Sequence, residues 1–179
     1  MAVSNSKPKV GGAVNAAPAG STLPTDASTA LDAAFKSLGY CSEDGMTNAN
    51  TRETAEIKAW GGDTVLNAPT GHSDTFKTTL IDCTNTDVLK TVFGSSNVTG
   101  ALGTGLTIKV NGDPLPEQEW AVETVHIDGT LHRFVIPKGQ VTDVAEVTYK
   151  DDEAIGYEIT IAAHPDSSGN THYEYLYKA

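Results

Sequence analysis

The chain has 179 residues, of which 39% are hydrophobic and 20% are charged, and its formal net charge is -11 at pH 7. This length predicts one domain with room for tails, and the composition is too apolar for wholesale disorder. Only 12 Lys and Arg residues are scattered among 23 Asp and Glu residues, which argues against direct binding of nucleic acid. The acidic balance is compatible with plain solubility, and also with a surface past which DNA slides because like charges repel.

Membrane and disulfide classes are disfavoured as well. No window approaches the ~18 consecutive apolar residues that a transmembrane helix needs, and the N-terminus lacks the apolar region of a signal peptide. We therefore expect synthesis in the cytoplasm. Cys41 and Cys83 do not form a C-x-x-C pair, so we expect two free thiols that pack as small apolar groups.

The first quarter of the chain predicts an arm, a strand and an irregular segment. Residues 1–9 are polar and offer nothing to bury, so we expect a flexible arm ahead of a single domain over residues 10–179. Residues 10–14 fit a short first strand. Proline and glycine interrupt residues 16–25 and predict irregular structure there.

A helix is predicted next. Thr25 or Asp26 can cap its N-terminus, and Gly39 ends it. Between them, apolar residues recur at the helical period. These residues are Ala27, Ala30, Leu31, Ala34, Phe35 and Leu38.

A turn and a hairpin follow. Ser42-Glu43-Asp44-Gly45 predicts a turn, with Gly45 suited to positive φ. Residues 46–54 are polar and predict either an extended loop or an exposed strand. Residues 55–60 and 64–68 alternate better, and Gly61-Gly62-Asp63 between them predicts a hairpin turn.

The middle of the chain predicts one strand and a second helix. Residues 73–82 alternate as a strand does. Val88, Leu89, Val92 and Phe93 then recur at helical spacing. Asn85 before them and Gly94 after them supply a cap and a stop. Residues 95–105 are rich in Gly, Ser and Asn, and predict a loop.

The last part of the chain predicts almost only strands. Asp128-Gly129 between two alternating runs is the clearest hairpin signal, and Pro137-Lys138-Gly139 predicts a further turn. The predicted strands are residues 106–110, 120–127, 130–136, 140–149, 154–163 and 171–177. The fold class is therefore mainly β, with two packed antiparallel sheets in a sandwich or barrel and one or two short flanking helices.

Catalytic and metal chemistry is poorly represented. His126 and His132 can face each other across the Asp128-Gly129 turn, and His164 and His172 flank the last loop, but neither pair has a third zinc ligand at motif spacing. Exposed histidines are the favoured interpretation. The acidic runs at 43–44 and 151–153 lack the pattern of a calcium loop or a defined acid-base pair, and they predict solvated turns. We expect no enzyme.

The large aromatic residues have two interpretations each. Trp60 and Trp120 lie in predicted strands, where core packing is favoured over a role as an interface anchor. Tyr173, Tyr175 and Tyr177 share one face of the last strand, and they predict a packed face first and a contact between subunits second.

Three stretches carry a resemblance: LPTDASTALDAAFKSLGYCSEDGMT, EIKAWGGDTV and TFKTTLIDCTNTDVLKTVFG. They resemble parts of the major tail tube proteins of phages with long non-contractile tails, of the actinophage type, over roughly residues 10–95. The matching residues are Leu23, Pro24, Leu31, Phe35, Leu38, Gly39, Tyr40, Glu43, Asp44, Gly45, Trp60, Gly61, Phe76, Leu80, Val88, Leu89, Phe93 and Gly94.

The resemblance implies a structural role without catalytic residues, metals or cofactors. Six copies would form a ring, and rings would stack into a tube that encloses the tape measure protein and conducts DNA. Further implied partners are the tail tip or initiator and the tail terminator proteins, and DNA would pass without specific binding. The implied location is the tail of the virion, after production in the host cytoplasm.

Stacking needs arms and loops that become ordered on assembly, and residues 1–9 and 47–54 are candidates. The residues that we expect between subunits or rings are Lys7, Lys9, Met46, Thr47, Asn48, Asn50, Arg52, Glu53, Tyr175 and Tyr177.

Two other functions stay open at this point. A monomeric, immunoglobulin-like decoration or binding module would keep residues 47–54 in a fixed hairpin. A small metal-dependent hydrolase would use the histidine pairs.

Overall fold

The computed structural model describes residues 3–178, and strands dominate this part of the chain. The strands are β1 (Ser6–Pro8), β2 (Val14–Pro18), β3 (Lys36–Ser37), β4 (Cys41–Lys58), β5 (Thr64–Leu80), β6 (Val98–Ala101), β7 (Gly105–Ile108), β8 (Gln118–His126), β9 (Leu131–Val144), β10 (Tyr157–Ala163) and β11 (Tyr173–Tyr177). Helix α1 spans Thr86–Phe93, and a 3₁₀ turn follows at Ser95–Asn97. The predicted fold class is confirmed, with one antiparallel sheet large and the other small.

The large sheet has nine strands in the order β3-β2-β8-β9-β10-β5-β4, with β1 paired to β8 and β11 paired to β9. Strand β9 is long enough to hold two partners on the same side: residues 131–135 pair with β11 and residues 139–144 pair with β10. Strands β6 and β7 form a separate hairpin. The last strand of the chain is therefore an edge strand.

The main core lies on one face of this sheet. Trp120, Phe76 and Ile136 are completely buried there, and α1 packs its Val88, Leu89 and Val92 side against them. The local signals for α1 are confirmed. Asn85 accepts a hydrogen bond from the Asp87 amide at 2.9 Å, and the Gly94 amide donates to the Lys90 carbonyl at the other end.

The prediction of a helix over residues 25–38 is wrong. Asp26 instead closes a local turn by accepting hydrogen bonds from the amides of Ser28 and Thr29. The guanidinium of Arg133 then takes the carbonyls of Asp26 and Thr29, at 2.6 and 2.8 Å. A helix would have used both carbonyls internally. Phe35 packs with Ala17 and Ala121 in a small second core on the opposite face of the sheet.

The predicted turn at Pro137-Lys138-Gly139 is also wrong, because β9 continues through it. The pairing of β8 with β9 shifts between Gln118–Gly139 and Trp120–Ile136, which leaves one extra residue on β9. Such a bulge accepts a proline, since its residues do not all donate to the ladder. Trp120 Nε1 donates to the Gly139 carbonyl at 3.1 Å and anchors the bulge.

Several boundaries differ from the expectation. The regular strand near the N-terminus begins at Val14 rather than at residue 10 and occupies part of the segment expected to be irregular. Within the expected arm, Ser6–Pro8 forms β1, whereas residues 1–2 lie outside the described part. The loop expected at 95–105 contains β6. The Asp128-Gly129 hairpin is confirmed, with Gly129 at a φ of 83°.

Candidate assembly surfaces

The β4–β5 hairpin forms an exposed arm, which we define as residues 49–73. Residues 49–67 are exposed throughout, whereas Asp74, the next residue of β5, is buried. The paired strands of the arm extend over roughly 30 Å at ~3.3 Å per residue. The predicted turn closes its tip, where the Ala59 amide donates to the Asp63 carbonyl at 2.8 Å. The arm is thus held by its own backbone ladder and covered by no other described element.

The outer part of the arm has two unlike faces. Ile57 lies opposite Leu66, and Ala55 lies opposite Ala68, so these four apolar side chains share one face. Glu56 lies opposite Asn67 on the other face and accepts a hydrogen bond from the Thr64 hydroxyl at 3.2 Å. An apolar face on an isolated two-stranded hairpin has nothing to cover it within the described chain.

Trp60 stands at the tip of this arm and is fully exposed, at 107% of the reference area. The prediction that Trp60 belongs to the core is therefore wrong, whereas the same prediction for Trp120 is confirmed at 0%. Both residues lie at an end of an alternating run, Trp60 at the last position and Trp120 at the first, so local pattern does not separate them. Of the two interpretations of Trp60, the interface anchor stays a prediction.

The inner end of β4 contains an insertion. Cys41 pairs with Leu80 and Met46 pairs with Thr78, so four residues of β4 bulge out between them. Gly45 has the positive φ that the sequence predicts, at 71°, and its carbonyl accepts a hydrogen bond from the Thr78 hydroxyl at 3.0 Å.

Burial raises the pKa of the Cys41 thiol, which is consistent with a free cysteine that packs rather than reacts.

A buried carboxylate stands where the arm leaves the body. Asp74 accepts hydrogen bonds from Asn48 Nδ2 at 2.7 Å and from the Thr171 hydroxyl at 2.6 Å, and its Oδ2 contacts His172 Nδ1. Burial raises the pKa of Asp74, but the bonds from Thr171, Asn48 and His172 outweigh burial and hold it below its usual value. Asp74 therefore stays ionised and ties the arm to the segment before β11.

The N-terminal strand β1 pairs with the C-terminal end of β8. Lys9 Nζ lies 2.9 Å from Glu123 Oε1, and the Lys9 amide donates to the Glu123 carbonyl. Burial raises the pKa of Glu123, but hydrogen bonds and charge from Arg133 and Lys9 outweigh it, and the pKa lies below the usual value.

Strand β11 presents a free edge and a stripe of tyrosines. The rings of Tyr173 and Tyr175 stack in parallel with centroids 6.3 Å apart, and Tyr177 and Leu176 are exposed. One edge of β11 is hydrogen-bonded to β9, and the described part of the chain supplies no strand for the other. Free strand edges are templates for pairing with another chain.

The structure distributes the ten predicted contact residues over three places. Six lie along β4: Met46, Thr47, Asn48, Asn50, Arg52 and Glu53. Lys7 and Lys9 lie in or beside β1, and Tyr175 and Tyr177 lie in β11. Met46 is half-buried against the main core, and Asn48 is engaged with Asp74, so these two are the least available. Sequence reasoning missed the apolar tip of the arm, although the alternation of residues 55–57 and 66–68 carries that signal.

The histidines pair differently from the zinc hypothesis. His126 and His132 do face each other, with Nε2 and Nδ1 3.2 Å apart, but His164 contacts Glu117 and His172 contacts Asp74. Within residues 3–178, no group of three or more His, Cys, Asp or Glu side chains is arranged to hold a metal ion.

Together these features describe a β-rich chain with an ordered two-stranded arm, an exposed apolar tip and free strand edges. The sequence matches the family described as phage tail tube protein over residues 4–179, and the chain belongs to that family. No individually curated protein matches it. It is a structural subunit of a phage tail tube, located in the virion tail. Among the described residues, no helix is long and apolar enough to cross a membrane.

Proposed function

We propose that this chain forms hexameric rings that stack into the tube of a long, non-contractile tail of the actinophage type. Family membership supports the role of tube subunit. The observation that carries stacking is the arm at residues 49–73, which is ordered by its own hydrogen bonds yet uncovered on both faces. A hairpin of two strands is marginally stable alone in water, so a partner that covers one face stabilises it.

Contacts between rings fall on the arm in this proposal. Ile57 and Leu66 on the apolar face, with Trp60 at the tip, bury apolar area against a neighbouring ring. Arg52 and Glu53 lie nearer the body and flank this surface with charge. The apolar residues supply most of the free energy of contact, since exposed charges contribute little.

Contacts within a ring fall on the strand edges. The outer edge of β4 and the outer edge of β11 both lack a partner strand within the described chain. A head-to-tail contact between two different edges closes into a ring when the rotation per subunit is a whole fraction of a turn. Lys7 and Lys9 of the N-terminal segment, with Tyr175 and Tyr177, contribute to this contact.

The acidic charge suits the channel of such a tube. Each subunit carries a net charge of -11, so a ring has a strongly negative field that counterions screen within ~10 Å at 0.1 M salt. We propose that the channel encloses the tape measure protein during assembly and later conducts DNA without binding it. The tail tip or initiator complex lies at one end of the tube, and the terminator protein lies at the other.

One observation favours the alternative of a monomeric decoration or binding module. Residues 47–54 lie in a fixed hairpin, as that alternative requires. A fixed hairpin is also compatible with a tube subunit, because an arm that is ordered in advance loses less conformational entropy when it docks.

Electron microscopy of negatively stained protein at rising concentration separates the two functions. Rings with a central hole, or stacked rings, are expected, and an Ile57→Ser, Leu66→Ser variant should give rings that do not stack. Val110→Ser is the matched control, since Val110 is exposed and lies outside the arm. Lone particles at every concentration, even with a tail tip complex added as initiator, would contradict the tube and support the monomeric module.

A further inference from the structure

Five titratable side chains form a continuous row across four strands. His126 Nε2 contacts His132 Nδ1 at 3.2 Å, and His132 Nε2 contacts Glu174 Oε2 at 2.9 Å. The other oxygen of Glu174 contacts His172 Nε2 at 3.3 Å, and His172 Nδ1 contacts Asp74. The row begins on β8, crosses β9 and β11, and ends on β5 at the base of the arm.

His172 is the informative member, because each of its two ring nitrogens faces a carboxylate oxygen. A carboxylate only accepts hydrogen bonds, and a neutral imidazole carries one N–H, whereas an imidazolium carries two. Both contacts of His172 are therefore hydrogen bonds only when the ring is protonated. After loss of that proton, one bare nitrogen lone pair opposes Asp74 or Glu174.

The other two histidines do not require this charge. A neutral His132 donates from Nε2 to Glu174 and accepts at Nδ1 from His126, so every contact of His132 is satisfied without an added proton. His132 also packs on Phe134 with ring centroids 4.2 Å apart, and the ring of His172 packs edge-on against Phe76 at 5.1 Å. These aromatic contacts hold both rings in the orientation that the row needs.

None of the other charged groups near the row takes the place of Asp74 or Glu174 beside His172. On the arm, Arg52 and His72 continue the face of Asp74, and His72 contacts Asn50. Beside His132, the adjoining groove is lined by Lys9, Glu43 and Asp44. Past the end of β11, Lys178 pairs with Asp128 at 2.8 Å. On the opposite face of β8 and β9, Arg133 pairs with Glu123.

We propose that His172 is a proton-controlled latch that, when charged, joins the edge strand β11 to the base of the arm through Glu174 and Asp74. Low pH favours the imidazolium, which can donate from both ring nitrogens, so the latch closes as pH falls and loosens as pH rises. The arm and β11 are two of the segments to which the proposed function assigns contacts with other subunits. The effect on assembly rests on that proposal, whereas the latch itself is a property of the single chain.

Amide hydrogen exchange of the full-length monomer tests the latch at about pH 6 and about pH 8.5, after correction for intrinsic rates. We expect protection of residues 173–177 and 48–52 to fall by about tenfold or more at the higher pH, as loss of a hydrogen bond to a charged group implies. His172→Gln should show low protection at both values, and nitrogen NMR should find both ring nitrogens of His172 protonated at about pH 6. His164→Gln is the control, since its exposed pair with Glu117 lies outside the row.

A second variant keeps the test decisive if His172→Gln unfolds. Glu174 is partly exposed, and in Glu174→Gln the carboxamide donates to the bare nitrogen of a neutral His172, so protection should persist at about pH 8.5. Equal protection of the unmodified chain at both values, or an unchanged pH effect in His172→Gln, would overturn the latch. Both readouts use the monomer, so they stand apart from any failure to form tubes.

Discussion

Arg133 and Glu123 form an ion pair in the interior of the sheet, on the face opposite the main core. The Nη2 and Oε1 atoms are 2.5 Å apart, and the Arg133 side chain is 1% exposed. The same guanidinium donates to the carbonyls of Asp26 and Thr29. One cation therefore compensates a buried carboxylate and holds a loop that precedes it by more than 100 residues.

Removal of the Arg133 side chain should strongly lower the stability of the fold. Arg133→Ala leaves the Glu123 charge buried with only Lys9 beside it, and it frees two carbonyls from their donor. We expect the free energy of unfolding to fall by about 3–5 kcal/mol, as for other broken buried pairs. Urea denaturation followed by tryptophan fluorescence measures it. In contrast, Lys150→Ala, which removes one partner of the exposed Lys150–Glu153 pair, should change stability by no more than ~0.5 kcal/mol; similar losses for both variants would contradict the assigned importance of Arg133.

The same pair makes a pH-dependent contribution. Folding holds the pKa of Glu123 below its ordinary value of 4.5, so the stabilisation is complete above about pH 4.5 and is lost as pH falls through the folded value. The stability difference between the unmodified chain and Glu123→Gln should therefore shrink from about pH 6 to about pH 3. Urea midpoints over this range test it, with the exposed Glu146→Gln as control. A difference that stays constant with pH would rule out this linkage.

The two tryptophans should respond to substitution in opposite ways. Trp60→Ala removes a side chain with no contacts to lose, so monomer stability should change by no more than ~0.5 kcal/mol while tube formation is lost. Light scattering and negative stain follow assembly, and thermal unfolding follows stability. Leu102→Ala is a control on an exposed hydrophobic residue away from the arm. Normal tubes from Trp60→Ala would remove the tip of the arm from the contact between rings.

The cap of α1 gives a local prediction. Asn85→Ala deletes the acceptor for the Asp87 amide and should cost about 1 kcal/mol, the usual effect of losing an N-cap. The change in urea midpoint measures this cost. Ser96→Ala replaces an exposed polar residue outside the helix and should have little effect. If Asn85→Ala also leaves the urea midpoint unchanged, the packing of Val88 and Val92, rather than the cap, determines where the helix starts.

Features with local causes could be predicted from the amino-acid sequence. Asn85 and Gly94 bracket α1, because a cap and a stop act within one turn of the helix. Asp128-Gly129 and Gly61-Gly62 specify tight turns through the conformational freedom of glycine. The mainly β class followed from alternation, and the order of motifs pointed to the tail tube family.

Features with distant causes depend on contacts between segments that are far apart in the chain. Asp26 and Thr29 lie in a segment with helical periodicity, yet the Arg133 guanidinium takes their carbonyls and the helix does not form. Pro137 signals a turn, yet a bulge against Trp120 carries β9 through it. Trp60 and Trp120 have similar local patterns, but β8 lies between two strands while the tip of the arm has no neighbour. Burial depends on which strands arrive from elsewhere in the chain, and alternation along one strand does not contain that information.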